Sequence, residues 1–377
     1  MNSYPNKPRI AVVMPAFLKG GAEATCAWTL QSLRNDYDLT LATLMPTHAS
    51  ELNAPYGTSL NNDDYRILCP WSPRMNPGLR FLFGTIRPLH ALRQQFLARY
   101  VRARRSQFDL AISTFNEMDL GAPAIQFIHF PSFVRNRLYE ACAGSSGSRI
   151  RSNVTLVPSQ FIQAIVEQRY GIRATVLYPP ARDDFAPEPW NDRDETILCI
   201  GRLVADKQMV EAVEIVSSAR AKGADLKMCI VGTSFDRRHA AHLMELQIRH
   251  QEWLNLEIDV SAKRYRELLS RCKFGIHLRS EGFGIVVAEM LNAGCLPFVS
   301  NRGGQVEILG NTSELLFSNR AEAVAAIARV AGDRALQEAI RIKLASQARL
   351  LSTDHFTAAL RSIVGDVLSG ERKASIR

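Results

Sequence analysis

Several sequence features are missing from this chain, and each absence argues against one class of protein. No run of about 18 apolar residues occurs, so the sequence predicts no membrane-spanning helix. The 7 cysteines are scattered and form no C-x-x-C pair. This pattern indicates small buried side chains in a reducing compartment rather than a disulfide or metal framework. Residues 1–9 are polar and lack the apolar stretch of a secretory signal, so we expect a cytoplasmic protein.

Two patterns of ligand binding are also missing. Gly20 and Gly21 follow a predicted strand, but the G-x-G-x-x-G spacing of a dinucleotide site is absent. No D-x-D pair stands in a context that matches a metal site, and the pair Asp183-Asp184 lies in a stretch that we interpret as a linker. We therefore expect neither a metal ion nor a cofactor.

Acidic residues are absent between Tyr65 and Phe108, where nine arginines account for the whole net charge of +9. From residue 89 onward, the spacing predicts a helix with an apolar face and a basic face, which suits the anionic surface of a membrane. A solvated helix that covers the first sheet is the alternative. We expect no nucleic-acid partner, because no nucleic-acid motif accompanies the charge. In this basic segment, residues 66–105, the apolar face contains Leu92 and Phe96, and the basic face contains Arg93, Arg102 and Arg105.

The length of 377 residues suits two domains rather than one. Short buried strands alternate with helices, which predicts an α/β protein with two parallel, doubly wound sheets. We place the first domain at 1–180, a proline-rich linker at 181–194 and the second domain at 195–354. The predicted strands are 9–14, 39–44, 108–114, 124–129, 154–158, 175–178, 196–200, 226–231, 256–260, 274–278, 296–299 and 315–317.

The most informative segment is Ser280–Glu289, in which two carboxylates lie eight positions apart around a glycine turn. A buried strand precedes the turn, and a helix over 285–294 follows it. The backbone N–H groups at such a helix start point at an anion. The carboxylates of Glu281 and Glu289 suit the vicinal hydroxyls of a ribose or hexose. The segment therefore predicts a site for a molecule with both phosphate and hydroxyl groups.

Two cations come shortly after another predicted strand. Arg202 and Lys207 follow Gly201 and stand five positions apart. Such a pair can neutralise a diphosphate whose negative charge grows as it leaves, which stabilises a transition state electrostatically. Arginine grips two phosphate oxygens, whereas lysine acts as a point charge.

Five segments, in this order along residues 10 to about 310, resemble retaining glycosyltransferases of family four. The segment Ser280–Glu289 resembles the E-x7-E signature of that family, and Gly201–Lys207 resembles its G-R-L-x-x-x-K segment. The resemblance implies the GT-B fold, in which two Rossmann-like domains face a central cleft, with residues 355–377 packing back on the first domain. The other three segments are Gly20–Glu23, which is similar to the N-terminal glycine loop, and His129–Pro131 and Tyr178–Pro180, which are similar to segments of mannosyltransferases.

The resemblance also implies roles for individual residues. It implies catalysis by His129, Arg202, Lys207 and Glu281, with retention of anomeric configuration and without a metal. A mechanism in which the leaving group departs from, and the acceptor attacks, the same face of the sugar fits these residues better than a double displacement. The reason is that no carboxylate in the sequence is identified as a nucleophile. We interpret His277 as structural. The residues implied in donor binding are Gly20, Gly21, Gly201, Arg202, Lys207, Gly282, Phe283, Gly284, Ile285 and Glu289.

The expected reaction is transfer of a hexose, with mannose from GDP-mannose as the leading donor. The acceptor would be a glycan or a lipid-linked glycan in cell-surface polysaccharide assembly, such as lipopolysaccharide. Binding of the basic segment at the inner face of the plasma membrane is left open. Three alternatives also remain: a UDP-sugar donor, a non-catalytic nucleotide-binding subunit, or an epimerase on the same fold. The epimerase would need acid–base carboxylates in the first domain, where Asp109, Glu117 and Asp119 are available.

Overall fold

The computed structural model describes residues 7–17, 20–71, 89–131, 150–234 and 236–373, with only the backbone described at 89–92. The chain divides into two compact units. The first unit comprises Met1–Pro180 together with Asp354–Arg377, and the second unit comprises Ala181–Thr353.

Strands and helices alternate along both units. The strands are β1 (Arg9–Val13), β2 (Asp38–Ala42), β3 (Arg66–Leu68), β4 (Leu110–Ser113), β5 (Ala124–Phe127), β6 (Val154–Val157), β7 (Ala174–Val176), β8 (Asp194–Leu203), β9 (Lys227–Ser234), β10 (Leu254–Ile258), β11 (Cys272–His277), β12 (Leu296–Ser300) and β13 (Leu316–Phe317). The helices are α1 (Gly21–Leu33), α2 (Ala49–Tyr56), α3 (Leu89–Arg102), α4 (Gln160–Tyr170), α5 (Met209–Ala221), α6 (Arg237–Arg249), α7 (Ala262–Arg271), α8 (Ile285–Asn292), α9 (Gln305–Ile308), α10 (Arg320–Gly332), α11 (Arg334–Leu350) and α12 (Thr353–Ser369).

Each unit is built on one parallel sheet. The order in the first unit is β3-β2-β1-β4-β5-β6-β7, and the order in the second is β10-β9-β8-β11-β12-β13. In both sheets the strand order reverses beside the first strand of the unit, so each unit is doubly wound and Rossmann-like. Central strands such as β1 and β11 are almost wholly buried, as expected when helices cover both faces. The predicted fold class is confirmed.

Two details of the sheets differ from the prediction. The edge strand β3 was not predicted, because it has only three residues and pairs with β2 alone in a segment dominated by charge. Strand β8 continues to Leu203, so Gly201 and Arg202 lie inside the strand rather than after it. The reason is its pairing with β9, which extends to Ser234 and brings Gly201 opposite Gly232.

The predicted assignment of residues to the apolar and basic faces of α3 is wrong at two positions. Arg93 is only 4% exposed, whereas Phe96 is 47% exposed. Burial lowers the pKa of Arg93, and the nearby charge of Glu23 opposes that effect. Phe96 stacks on Trp71 at the surface, with ring centroids 5.6 Å apart. A charge that has a buried partner can therefore lie on the covered face of a helix, which the periodicity could not show.

The other described arginines of the basic segment are largely engaged by the first unit itself. Arg102 forms an ion pair with Asp119 at 2.6 Å, and Arg105 donates to the carbonyl of Pro123 at 2.9 Å. Arg66 pairs with Asp38 at 3.2 Å at the outer edge of the sheet. The rest of the segment, residues 72–88 with Arg74, Arg80 and Arg87, lies outside the described residues.

The stretch 181–194, which we interpreted as a linker, belongs to the second unit. Arg182 and Arg193 are buried at 6% and 7% exposure. Arg193 donates to the carbonyl of Ala293 at 2.8 Å, which ties the stretch to the end of α8. The proline-rich composition concealed these contacts, since they are made by two arginines rather than by a regular element.

Helix α12, after its first residue, belongs to the first unit. The hydroxyls of Ser32 and Thr357 lie 2.9 Å apart, and Arg361 donates to the carbonyl of Ser32 at 2.7 Å. These contacts attach the C-terminal helix to α1. Among the described helices, none has the length and apolar character that crossing a membrane requires.

The close approach of β8 and β9 yields a test of this packing. A Cβ on Gly232 would overlap the carbonyl oxygen of Gly201 and the side chain of Leu203. We expect Gly232→Ala to lower the free energy of unfolding by about 1–3 kcal/mol, because neighbouring backbone must move. Urea denaturation measures the effect. Gly332→Ala is the matched control, since nothing lies within 4 Å of its added Cβ; an equal loss in both variants would contradict the packing argument.

Candidate functional site

Two predicted site residues meet at the carboxyl edge of the second sheet, where its parallel strands end. Strands β8 and β11 are neighbours, so the segments that follow them lie side by side. Lys207 ends a short 3-10 turn after β8, and Glu281 lies in the loop after β11. Their Nζ and Oε1 atoms are 2.5 Å apart. The long stem of Lys207 passes over Gly201, where an added Cβ would be 3.6 Å from the lysine side chain.

Further charged groups surround Glu281. Burial alone would raise the pKa of its carboxyl, but His277 and Lys207 outweigh that effect and lower the pKa to about 2. The Nε of Arg279 lies 3.9 Å from Glu281 Oε1, and Arg279 also forms an ion pair with Asp206. Glu281 is therefore ionised at any physiological pH, held among three basic side chains.

His277 was interpreted as structural, yet it lies beside this cluster. It is the last residue of β11 and is only 7% exposed. Its Nε2 atom is 3.7 Å from Glu281 Oε1. This Nε2 atom has no hydrogen-bond partner within the described part of the chain. Its position four residues before Glu281, at the end of a buried strand, was the available sequence signal.

The loop that carries Glu281 is fixed by a residue that the sequence analysis missed. Gln305 is fully buried; its Oε1 accepts from the N–H of Glu281 at 3.0 Å, and its Nε2 donates to the carbonyl of Arg279 at 2.9 Å. The N–H of Gly304 donates to the carbonyl of Glu281 at 2.9 Å. A Cβ on Gly304 would overlap the carbonyl of Gly282, so only glycine permits this approach.

The start of α8 presents unused backbone donors. Gly284 precedes the helix with a φ of +100°, a conformation that favours glycine. The carbonyl of Gly284 accepts from the N–H groups of Val287 and Ala288. The N–H groups of Ile285 and Val286 have no acceptor among the described residues. Helix α8 therefore offers two amide donors and the positive end of its dipole next to Lys207 and Glu281.

Glu289 lies in α8 but belongs to a different set of contacts. It is buried at 9% exposure, and its Oε2 accepts from the hydroxyl of Tyr265 at 2.6 Å. Burial raises the pKa of Glu289 to about 7, against the opposing effects of Tyr265 and Arg182. Neither Tyr265 nor Arg182 was singled out from the sequence, because no motif marks them. The two carboxylates of the E-x7-E segment thus have separate partners.

The remaining predicted residues of the second unit lie around this edge. Arg202 is exposed and lies within β8, opposite Thr233 of β9. Phe283 is 6% exposed, so its ring is packed in the unit and only its backbone is suited to a ligand. The structure brings Lys207 and Glu281 into direct contact.

In the first unit, the predicted glycine loop is engaged by its own helix. The N–H of Gly20 donates to the carboxylate of Glu23, which also accepts from the hydroxyl of Tyr56 at 3.0 Å. Glu23 is 7% exposed and caps α1 at Gly20. Gly21 is the first residue of α1.

His129 follows β5 at the carboxyl edge of the first sheet. Its Nε2 is 3.1 Å from the carbonyl oxygen of Thr114, and its ring stacks on Phe127 with centroids 4.9 Å apart. A carbonyl only accepts, so Nε2 carries the proton and Nδ1 is left as an acceptor. Burial lowers the pKa of His129 to about 4, although the bond to Thr114 opposes the shift. The ring is therefore neutral at pH 7.

The carboxylates available to an epimerase are each engaged elsewhere. Asp109 forms an ion pair with Arg9 at 3.2 Å, and Asp119 pairs with Arg102. Glu117 is fully buried and accepts from the hydroxyl of Tyr170 at 2.8 Å. In the described ranges, no group of three histidine, cysteine, aspartate or glutamate side chains is placed to hold a metal ion.

A comparison with protein families matches most of the second unit. Residues 181–346 match the family model described as glycosyl transferases group 1. The second unit therefore carries a glycosyl transferases group 1 domain. The matched range contains Arg202, Lys207, Glu281 and Glu289, and it covers less than half of the chain.

Two curated relatives are mannosyltransferases by name. The GDP-mannose:cellobiosyl-diphosphopolyprenol alpha-mannosyltransferase of Xanthomonas oryzae pv. oryzae (strain PXO99A) is 26% identical over 137 residues, 36% of this chain and 36% of that protein. The GDP-Man:Man(3)GlcNAc(2)-PP-Dol alpha-1,2-mannosyltransferase of Dictyostelium discoideum is 26% identical over 164 residues, 39% of this chain and 32% of that protein. The chain thus spans about a third of the length of these relatives.

A solved structure matches almost the whole chain. Anabaena HepE in complex with UDP superposes with a TM-score of 0.72 at 14% identity, covering 95% of this chain and 100% of that one. An identity this low is evidence of fold alone. The two Rossmann-like units are those of a GT-B glycosyltransferase fold.

The low pKa of His129 predicts a pH dependence of stability. The unfolded chain binds this proton with an ordinary pKa near 6.5, and the folded chain with a pKa of about 4. Stability therefore falls as the pH drops from 6.5 to 4, by about 2–3 kcal/mol from this residue. We expect His129→Gln to lose that contribution to the slope in urea denaturation at a series of pH values. His242→Gln, at an exposed histidine, is the control; equal slopes for wild type and His129→Gln would refute the assignment.

Proposed function

We propose that this chain is a retaining, metal-independent glycosyltransferase that moves a hexose from a nucleotide-sugar donor to a glycan or lipid-linked acceptor. The observation that carries the proposal is the Lys207–Glu281 pair beside the open N-terminus of α8, inside a glycosyl transferases group 1 domain. Cation, carboxylate and backbone donors are the groups that a sugar diphosphate requires.

The donor diphosphate is assigned to Lys207, Arg202 and the first amides of α8. The N–H groups of Ile285 and Val286, which have no acceptor in the described part of the chain, support this assignment, since amide donors at a helix start bind phosphate. Lys207 adds a positive charge that becomes more valuable as the leaving diphosphate gains charge. Arg202 is exposed on β8, the strand that leads into the turn with Lys207, and a guanidinium suits a second phosphate oxygen.

The hydroxyl groups of the donor are assigned to the two carboxylates. Glu281 is ionised and adjacent to Lys207, so it suits the transferred hexose, which is bonded directly to the diphosphate. Glu289 is assigned to the ribose at the other end of the diphosphate. His129 is assigned to a hydroxyl of the transferred sugar, for which its unprotonated Nδ1 is an acceptor. Gly20 and Gly21 are assigned to donor contacts through resemblance alone.

For the mechanism, we favour departure and attack on the same face of the sugar. The leaving phosphate would take the proton of the acceptor hydroxyl while Lys207 and Arg202 stabilise its negative charge. This route requires no carboxylate nucleophile and no metal ion. It accounts for the basic character of the site around Glu281.

GDP-mannose is the proposed donor, with a UDP-sugar as the alternative. The support is that both curated relatives described above carry GDP-mannose or GDP-Man in their names. Both names also include a diphosphate-linked lipid acceptor, which supports a lipid-linked glycan as the acceptor here. We propose that the protein acts in the cytoplasm and contributes to the assembly of cell-surface polysaccharide.

The donor assignment predicts a specific loss on substitution. With EDTA present, we expect release of nucleotide from one member of a panel of GDP-mannose, UDP-glucose, UDP-galactose, UDP-N-acetylglucosamine and ADP-glucose. Lys207→Met should lower kcat about 10²–10³-fold, because a preorganised charge at the leaving group is removed. Lys263→Met is the control, since that lysine is exposed on α7 of the same unit.

Each other outcome of this panel contradicts a stated part of the proposal. Activity that appears only with added Mg²⁺ would refute metal independence. Nucleotide binding without turnover of any donor would instead favour the non-catalytic subunit. No binding of any nucleotide would refute the donor site itself.

We further propose that the first unit binds an anionic membrane surface through the basic segment. Its described part offers exposed Ile67 and Phe96, and Arg99, three positions after Phe96 on α3, is also exposed. An apolar group that inserts and a cation that meets the headgroups are the two elements that such binding needs.

This proposal predicts sedimentation with phosphatidylglycerol vesicles but not with phosphatidylcholine vesicles, weakening as salt is raised. The double variant Phe96→Ser/Arg99→Gln should bind several-fold more weakly. Ile248→Ser in the second unit, where Ile248 is 72% exposed, is the matched control. Equal binding to both kinds of vesicle would overturn the proposal.

A further inference from the structure

Tyr265 and Glu289 form the shortest contact in a buried polar cluster beside α8. Tyr265 lies on α7, and its hydroxyl donates to Glu289 Oε2 at 2.6 Å. Burial and the nearby carboxylate raise the pKa of Tyr265 well above its ordinary value, so the hydroxyl stays a donor throughout the neutral range. No motif of the sequence and no step of the proposed mechanism uses this tyrosine.

The other charged groups facing Glu289 come from the stretch before β8. Arg182 is 6% exposed and attracts Glu289, and it is itself held by Asp184 through bonds of 2.9 and 2.7 Å. The carboxylate of Asp184 raises the pKa of Glu289, whereas the charge and backbone N–H of Arg182 lower it. Asn292, one turn further along α8, donates to the carbonyl of Arg182 at 2.9 Å and locks the stretch against the helix.

This arrangement does more than satisfy a buried acid. A carboxylate has about four lone-pair positions, and the tyrosine occupies one of them on Oε2. The bond fixes the plane of the carboxylate, because the tyrosine ring is itself packed against the core of the second unit. Lone pairs are left over for a further pair of donors in a fixed direction.

We propose that Tyr265 is a positioning residue that orients the Glu289 carboxylate so that it accepts the two hydroxyls of the donor ribose. The inference rests on the proposed function, in which Glu289 binds the ribose. It adds a residue outside every recognised segment and a dependence of donor affinity on pH.

The pH dependence follows from the environment of Glu289. Its pKa of about 7 means that a large fraction of the free protein is protonated at neutral pH, and only the ionised form accepts from both hydroxyls. The Tyr265 hydrogen bond lowers this pKa, so Tyr265→Phe raises it. Loss of a hydrogen bond to a charged group shifts its protonation equilibrium roughly tenfold. Affinity should therefore fall most at low pH and recover as the pH rises.

The test compares binding of GDP and of UDP to wild type, Tyr265→Phe and Glu289→Gln by calorimetry at pH 6, 7, 8 and 9. We expect the dissociation constant of Tyr265→Phe to exceed that of wild type about fivefold or more at pH 7, and to stay above it by a smaller factor at pH 9, where both carboxylates are ionised and only their orientation differs. The ratio of the two constants cancels the titration of the nucleotide phosphates. Glu289→Gln should bind more weakly than wild type at every pH.

The chain provides a matched control in the first unit. Tyr170 donates to the buried Glu117 at 2.8 Å, so Tyr170→Phe removes the same kind of hydrogen bond away from the proposed ribose contact. It should leave the constants and their pH dependence unchanged. Thermal unfolding of the free variants separates loss of folding from loss of binding.

The outcomes distinguish this inference from the function on which it rests. If wild type binds nucleotide and Glu289→Gln weakens binding, but Tyr265→Phe binds as tightly as wild type at every pH, the positioning role is overturned alone. If wild type binds neither nucleotide, the proposed function and the inference fall together. A pH-dependent loss in Tyr170→Phe of the same size would also overturn the inference.

Discussion

The ion pair between Lys207 and Glu281 is the constraint on which the candidate site depends. It joins the segments after two neighbouring strands, and its side chains are only 16% and 24% exposed. Partly buried charges are stable only when they are paired and hydrogen-bonded, since removing one partner leaves the other desolvated. Without a ligand, the two residues therefore hold each other in place. A diphosphate would meet a lysine whose position is already fixed.

The backbone around the pair is arranged to keep that position. The close approach at Gly232 lets β8 extend to Leu203, so the turn with Lys207 begins at the sheet edge. On the other side, the Gln305 side chain holds the loop at two backbone groups, the N–H of Glu281 and the carbonyl of Arg279. The N–H of Gly304 holds the carbonyl of Glu281. Groups that are fixed before a ligand arrives need little reorganisation during a reaction, which is the condition for electrostatic catalysis.

The sequence was sufficient for the architecture and for the charged centre of the site. Alternating buried strands and helices predict two parallel sheets, and the structure shows Ser159 capping α4 by accepting from the N–H of Ile162. These features are local, because periodicity and capping depend on neighbours in the chain. Lys207 and Glu281 were each singled out by a local motif, whereas their contact across 74 positions follows from the neighbouring places of β8 and β11 in the sheet.

Contacts between side chains of distant segments could not be predicted from local sequence patterns. Tyr265 meets Glu289, and Gln305 meets Glu281, across 24 positions in each case. Neither residue type is unusual where it stands, so nothing in the sequence marks it. Arg93 shows the opposite failure: its charge indicated exposure, but burial near Glu23 places it on the covered face of α3. Side-chain partners, rather than periodicity, decide these positions.

The two carboxylates of one segment show how environment divides the work of chemically identical groups. Both are largely buried, and burial raises the pKa of both. Glu281 lies among basic side chains, so its pKa is about 2 and it stays ionised. Glu289 has one arginine that is shared with Asp184, so its pKa is about 7. In the proposed function, Glu281 is a fixed charge beside the diphosphate that balances Lys207, whereas Glu289 titrates near neutrality, so affinity at the ribose end of the donor depends on the hydrogen-bond partner of Glu289. The proposed role of Tyr265 follows from this difference, because its hydrogen bond lowers the pKa of Glu289 and so favours the ionised carboxylate.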